Sequence, residues 1–260
     1  MVGGVRTLAL ALAVSLAASA EEPIETPIPV PSPIPVGFLV AWKPMILSVR
    51  IDSGQGSQFG SDKVQPLRAL VRYTTTLLGE KLLARAELEG GEFKSDTQNV
   101  PNRLLGADGY DLTLRLLGGT ATKISSGFTV TASAGLLTRR QWGRASGGAP
   151  SIGVLGVTSN VEFEYRIAPL ITLSAFFEGG LTPIPYGAQD NLGNLSDASE
   201  FRWRLQVSLD LTPRTALDIG YDFTRWHASF SQSSALGAPD QALLIEAREH
   251  ALTIGVRWKP

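Results

Sequence analysis

Residues 201–223, FRWRLQVSLDLTPRTALDIGYDF, place Phe201, Trp203, Leu205, Val207, Leu209 and Leu211 at every second position, with Arg202, Arg204, Gln206, Ser208 and Asp210 between them. A period of two belongs to a β-strand, whose successive side chains point to opposite faces; helical spacing would scatter these residues around a cylinder. The same alternation recurs from residue 37 onward. It is cleanest in YDLTLRL (Tyr110, Leu112, Leu114 and Leu116 against Asp111, Thr113 and Arg115) and in VEFEYRI (Val161, Phe163, Tyr165 and Ile167 against Glu162, Glu164 and Arg166). The pattern predicts an all-β chain of ten strands, centred in 45–52, 66–78, 80–92, 109–121, 126–138, 152–167, 169–182, 200–212, 214–228 and 243–258.

Alternation alone does not say which face meets water, but the connections do. Short turns fall at LGEK (78–81), TKISSG (122–127), IAPL (167–170) and TPRT (212–215), and long polar, Gly-rich links at 53–64, 93–108, 139–151, 183–199 and 229–242. Every second connection is long. Such a meander resembles the bacterial outer-membrane β-barrel, with short periplasmic turns and long extracellular loops, whereas a soluble sandwich has no reason to sort its loops by end. The resemblance covers residues 37–260 and implies a transmembrane antiparallel up-and-down barrel of about ten strands, both ends of it on the periplasmic side.

In such a barrel the bulky alternate residues face lipid, because an interior enclosed by about eight to ten strands has little room beyond ordinary side chains. Tyr110, Phe163, Tyr165, Trp203, Tyr221, Phe223 and Trp258, near predicted strand ends, then suit the headgroup boundary. Tyr221 and Phe223 are followed at the same parity by Arg225 and His227, a change that marks the exit from the membrane. The closing ALTIGVRWKP, with Leu252, Ile254, Val256 and Trp258 in alternation, is similar to the C-terminal strand that the outer-membrane insertion machinery recognises, though Lys259 and Pro260 follow the aromatic that normally ends it.

Ahead of the barrel, residues 1–20 combine a short basic start, the apolar run TLALALAVSLAA and the small-residue ending Ala18-Ser19-Ala20. This predicts a signal peptide cleaved after Ala20 and delivery to the cell outer membrane. Residues 21–36 carry Pro at 27, 29, 31, 33 and 35, predicting an extended, proline-rich periplasmic arm. A net charge of −1 with no polybasic stretch removes the electrostatic basis for nucleic-acid binding. The absence of cysteine excludes disulfides, thiolate metal sites and a lipid-anchoring Cys. No later stretch is apolar for the ~18 residues a membrane helix needs.

Taken by parity, the inward set holds Arg50, Arg68, Arg72, Arg85, Arg115, Arg166, Arg202, Arg204 and Arg257 against Asp52, Glu87, Glu89, Asp111, Glu162, Glu164, Glu178, Asp210, Asp218 and Asp222. Enclosed charges of both signs at this density predict a paired Arg–carboxylate network filling the lumen; a narrow water-filled ion path is the alternative use of the same residues. The leading expectation is a non-enzymatic barrel, structural or narrowly porin-like, surrounded by outer-membrane lipid and without cofactor or metal. A second reading makes it the barrel subunit of a trans-envelope machine for export, motility or adhesion, docking on periplasmic envelope proteins through its arm and loops.

A third reading is a rim-located hydrolase. The ten-stranded omptin proteases use an Asp pair and an Asp-x-His on the rim, and this chain offers Asp108 with Asp111, and Asp222 with His227, without the Asp-x-His spacing. His250, in EAREH, lies on a predicted strand and lacks the upstream His of a zinc helix. SGQGSQFG (53–60) precedes no helix and reads as a loop. DNLGNLSDASE (190–200) gathers Asp190, Asn191, Asn194, Asp197 and Glu200 as a possible calcium loop outside the EF-hand register.

Overall fold

The computed structural model describes residues 36–53, 56–59, 63–65, 68–78, 82–93, 109–143, 151–186, 193–233 and 241–259. The predicted signal peptide and all but the last residue of the proline arm lie outside the described residues. The strands are β1 (Gly37–Trp42), β2 (Met45–Ser53), β3 (Gly56–Phe59), β4 (Lys63–Gln65), β5 (Arg68–Leu77), β6 (Leu82–Phe93), β7 (Gly109–Lys123), β8 (Phe128–Gly143), β9 (Ile152–Ala168), β10 (Ile171–Tyr186), β11 (Asn194–Thr212), β12 (Thr215–Ser233) and β13 (Gln241–Trp258).

These elements make ten staves. β1 and β2 both pair with β13 and form one interrupted stave, and β3, β4 and β5 together line its other side. From β5 to β13 each strand pairs antiparallel with the next. Pairing of β1 with both β5 and β13 closes the sheet into an antiparallel barrel. The first stave starts earlier than predicted, at Gly37, because Pro44 splits its alternation into two short runs. Having no N–H, Pro44 cannot donate to the ladder, but its carbonyl accepts from Leu252 N at 3.0 Å, while Lys43 N donates to Arg68 O at 3.0 Å.

Tight turns gather at one end of the barrel. In Thr212–Thr215 the Thr212 hydroxyl accepts from the backbone N of Arg214 and Thr215 at 3.2 and 3.0 Å, and Pro213 presets the backbone for the reversal. Ser125 and Phe128 exchange backbone hydrogen bonds at the next turn but one. At the opposite end β11 enters through Gly193, whose φ of +77° suits glycine.

The wall has two zones of opposite polarity. Toward the turn end, apolar side chains point outward: Leu205, Val207, Leu209 and Leu211 on β11, Ile219 and Tyr221 on β12, Leu252 and Ile254 on β13 are all exposed, and between them Gln206, Ser208, Gly220 and Thr253 are buried inside, with Asp210 half-buried. Toward the loop end the sense reverses. Trp226, Ala228 and Phe230 point inward and pack with Met45, Leu47, Ile152, Val154, Ala198, Leu243, Ile245, Ala247 and Ala251 into an apolar core, while Arg225, Arg248 and Arg50 lie exposed outside. An outward apolar wall is the arrangement for lipid and an inward apolar core the arrangement for water. The switch falls between Phe223 and Arg225 on β12. Residues 215–224 supply the ~9–11 positions a tilted strand needs to cross a bilayer.

Candidate functional site

Below the apolar core the lumen is packed with charge. Among the described residues, Lys43, Arg68, Arg72, Arg85, Arg115, Arg139, Arg202 and Arg204 are buried in it against Glu87, Glu89, Asp111, Glu162, Glu178, Glu200, Asp218, Asp222 and Glu249: eight positive and nine negative groups, the less buried Arg257 facing Asp218. Each reaches the interior because its strand alternates, and at many of these positions a Leu or aromatic on the outer wall fixes its neighbour inside. Phe201, Trp203 and Leu205, for instance, leave Arg202 and Arg204 pointing to the axis, 0% and 2% exposed.

Most of these groups form one connected network. Arg202 binds Glu87, Asp222 at 3.1 Å and Glu89 at 3.5 Å. Arg204 Nε donates to the same Asp222 oxygen at 3.0 Å, and the Thr253 hydroxyl donates to the other oxygen at 2.8 Å. Lys43 Nζ, carried inward beside Pro44, lies 2.6 Å from Glu89 and 3.6 Å from Asp222. Arg115 ties Glu178 at 2.6 Å and Glu87 at 3.3 Å to Glu200. Glu200 passes the chain to Arg139 at 3.2 Å, which also holds Glu249. Arg68 grips both oxygens of Asp111, Arg72 binds Glu87 at 2.8 Å, and Arg85 binds Glu162 at 2.6 Å.

Aromatic rings close the layer. Phe176 lies under the guanidinium carbons of Arg202 and Arg204, 5.6 and 5.0 Å from its centroid. Trp226, in the apolar core, receives Arg139 at 5.4 Å, joining the two layers through a cation–π contact. Toward the turn end the packing loosens. Arg257 binds Asp218 at 3.0 Å; the half-buried Asp210 takes Lys259 at 2.5 Å and lies 4.0 Å from Arg166, which donates to Pro169 O at 3.1 Å. Glu164 is half-buried on the same inward row.

Parity therefore places Arg85, Glu87, Glu89, Asp111, Arg115, Glu162, Glu164, Arg166, Arg202, Arg204, Asp210, Asp218 and Asp222 on the inner face. It fails for Arg50 and Asp52. They lie on the outer wall and pair with each other at 2.8 Å, because Met45 and Leu47 of the same strand turn into the loop-end core, where the apolar side is the inner one. Parity reasoning also missed Lys43, Arg139, Glu200 and Glu249. Arg139 was legible from Leu136, exposed on the outer wall at the opposite parity, although Leu137 at its own parity also points inward. Glu249 was not, since Ala247 and Ala251 beside it give no apolar signal.

On the outer wall, Trp203, Tyr221, Phe223 and His250 form one aromatic patch, with centroid distances of 5.3 Å for Trp203–Tyr221, 6.1 Å for Trp203–Phe223 and 5.0 Å for Phe223–His250. Tyr110 packs on Trp142, Phe163 on Phe128 and Phe177, and Trp258 on Phe38; Tyr165 stands exposed. The rim constellations do not converge. Asp222 is inside the lumen while His227 is outside, its Nε2 3.0 Å from Asp197 and its Nδ1 3.1 Å from the Ser199 hydroxyl. Asp111 is held by Arg68, and Asp108 lies outside the described residues. Of the loop 190–200, Asp190 and Asn191 lie outside the described residues; Glu200 points into the lumen and Asp197 away from it. His250 meets the Tyr221 hydroxyl at 2.5 Å. No group of three or more metal-capable side chains occurs among the described residues.

No family model and no curated protein matches the chain. Among solved structures, the outer membrane protease OmpT from Escherichia coli is similar with a TM-score of 0.50 at 10% identity, covering 87% of this chain and 97% of that one. The translocator domain of the autotransporter NalP from Neisseria meningitidis aligns with a TM-score of 0.44 at 12% identity, over 98% of this chain and 95% of that one. The Pseudomonas putida toluene transporter TodX aligns at 0.35 and 9% identity, over 86% and 90%. At such identities the likeness concerns architecture alone. Closed antiparallel staves, turns at one end, an apolar outer wall and a charged interior together give this chain the fold of a bacterial outer-membrane β-barrel.

Proposed function

We propose that the protein is an integral outer-membrane barrel that works as a closed structural unit rather than as an open pore, with no chemistry performed in its lumen. The observation that carries this reading is the nearly balanced layer of eight cations and nine carboxylates, cross-linked through Glu87, Asp222, Arg115 and Arg202 and capped by an apolar core. A conducting path needs a continuous file of water, whereas here guanidinium and carboxylate groups occupy the section. Ten staves also enclose far less than the 16–18 strands of open porins. The turn end faces the periplasm, the loop end faces outward, and β13 is the strand handed to the insertion machinery.

Conductance in planar bilayers tests this. The wild-type protein is expected to give no sustained ohmic steps at moderate voltage, whereas Arg115→Ala combined with Arg202→Ala, which removes two central guanidiniums, is expected to open measurable conductance. Steady porin-like currents from the wild-type barrel would overturn the reading.

A further inference from the structure

We propose that the outer wall of β12, β13 and β2, at the row where it leaves the apolar band, binds the phosphate of a lipid headgroup. Strand register assembles the site: Arg225 lies opposite Arg248, and Glu246 opposite Arg50. Glu246 accepts from both neighbours on its own side, Arg225 Nη2 at 2.8 Å and Arg248 Nε at 2.7 Å. One carboxylate thus holds two guanidiniums side by side and neutralises only one of them. Arg50, with its own partner Asp52, adds no net charge. Asp197 is engaged by His227 on the neighbouring strand.

Both guanidinium side chains stay about half exposed, 52% for Arg225 and 53% for Arg248. Two adjacent forks, oriented by a shared acceptor and one charge in excess, match a phosphate's oxygens in geometry and sign. Depth supplies the second argument. Immediately toward the turn end sit Phe223 and His250, register partners packed 5.0 Å apart, with Tyr221 bonded to His250. Such an aromatic shelf belongs at the headgroup boundary, so the arginines above it stand at the level of lipid phosphates. A soluble anion would have no need of that shelf.

This inference rests on the membrane location proposed above, and the test separates the two. Protein inserted in neutral phosphatidylcholine bilayers is first scored for heat-modifiable mobility; failure to insert would sink the membrane reading itself. Inserted protein is then extracted in mild detergent and titrated with phosphatidic acid, with diacylglycerol of the same chains, and with inorganic phosphate, bound lipid being counted by native mass spectrometry. Phosphatidic acid is expected to be retained at least tenfold over diacylglycerol. Arg225→Gln with Arg248→Gln should abolish that preference, Glu246→Gln should raise it, and Arg140→Gln, on the outer wall of β8, should leave it unchanged. Equal retention of the two lipids, an undiminished preference in the double variant, or complete displacement by equimolar inorganic phosphate would each overturn the headgroup site.

Discussion

Asp222 accepts from Arg202 Nε, Arg204 Nε and the Thr253 hydroxyl at once, so its removal takes a partner from two buried guanidiniums rather than one, leaving Arg202 to Glu87 and Glu89 and Arg204 to Glu87. Breaking a buried ion pair from one side costs about 3–5 kcal/mol. Asp222→Ala is therefore expected to lower the stability of the folded barrel by that amount, read as an earlier urea midpoint of the heat-modifiable band; an unchanged midpoint would mean that water replaces the carboxylate. Arg202, Arg204 and Asp222 were legible as inward residues because large apolar neighbours flank them at the opposite parity. Lys43 was not, since Leu39 and Ala41 on its own inward row are as apolar as Val40 and Trp42 on the outer one, and neither was Glu249, whose flanking alanines carry no polarity signal. What no alternation reveals is who pairs with whom: Arg139 meets Glu249 110 residues away only because the sheet closes.

Strand β11 shows how much one element can announce about its surroundings. Leu205 and Leu209 are exposed on the outer wall, while Arg204 and Gln206 beside them are buried inside. An arginine placed outward near the midplane costs about 2–4 kcal/mol in a transmembrane barrel. Leu205→Arg and Leu209→Arg are thus expected to impair insertion into lipid vesicles, whereas Arg204→Leu should insert normally and lose stability inside. Normal insertion of both outward variants, with failure of Arg204→Leu, would mean that the faces are reversed. Strand count, the turns at 122–127, 167–170 and 212–215 and the faces of β11 could be taken from period and loop length. The sense of β2 could not. Met45 and Leu47 look like part of a lipid face, yet they pack a core beyond the membrane, and so parity puts Arg50 and Asp52 on the wrong side.

The described barrel carries two zones of opposite polarity end to end. Around the charged layer, lipid solvates the wall and ion pairs fill the inside; around the apolar core, water solvates the wall and Trp226, Phe230 and their neighbours fill the inside. The boundary follows from one physical rule, that each face carries the polarity of what it touches. The direct measurement exploits the absence of cysteine: single Cys labels carrying a nitroxide, placed in turn at each residue from Asp197 to Leu211 of β11 in reconstituted bilayers, with accessibility to oxygen and to a water-soluble nickel complex compared. High oxygen and low nickel accessibility is expected at Leu205, Val207, Leu209 and Leu211, and the reverse at Asp197 and Ser199 of the same parity. Nickel accessibility at Leu205 to Leu211 equal to that at Ser199 would contradict this.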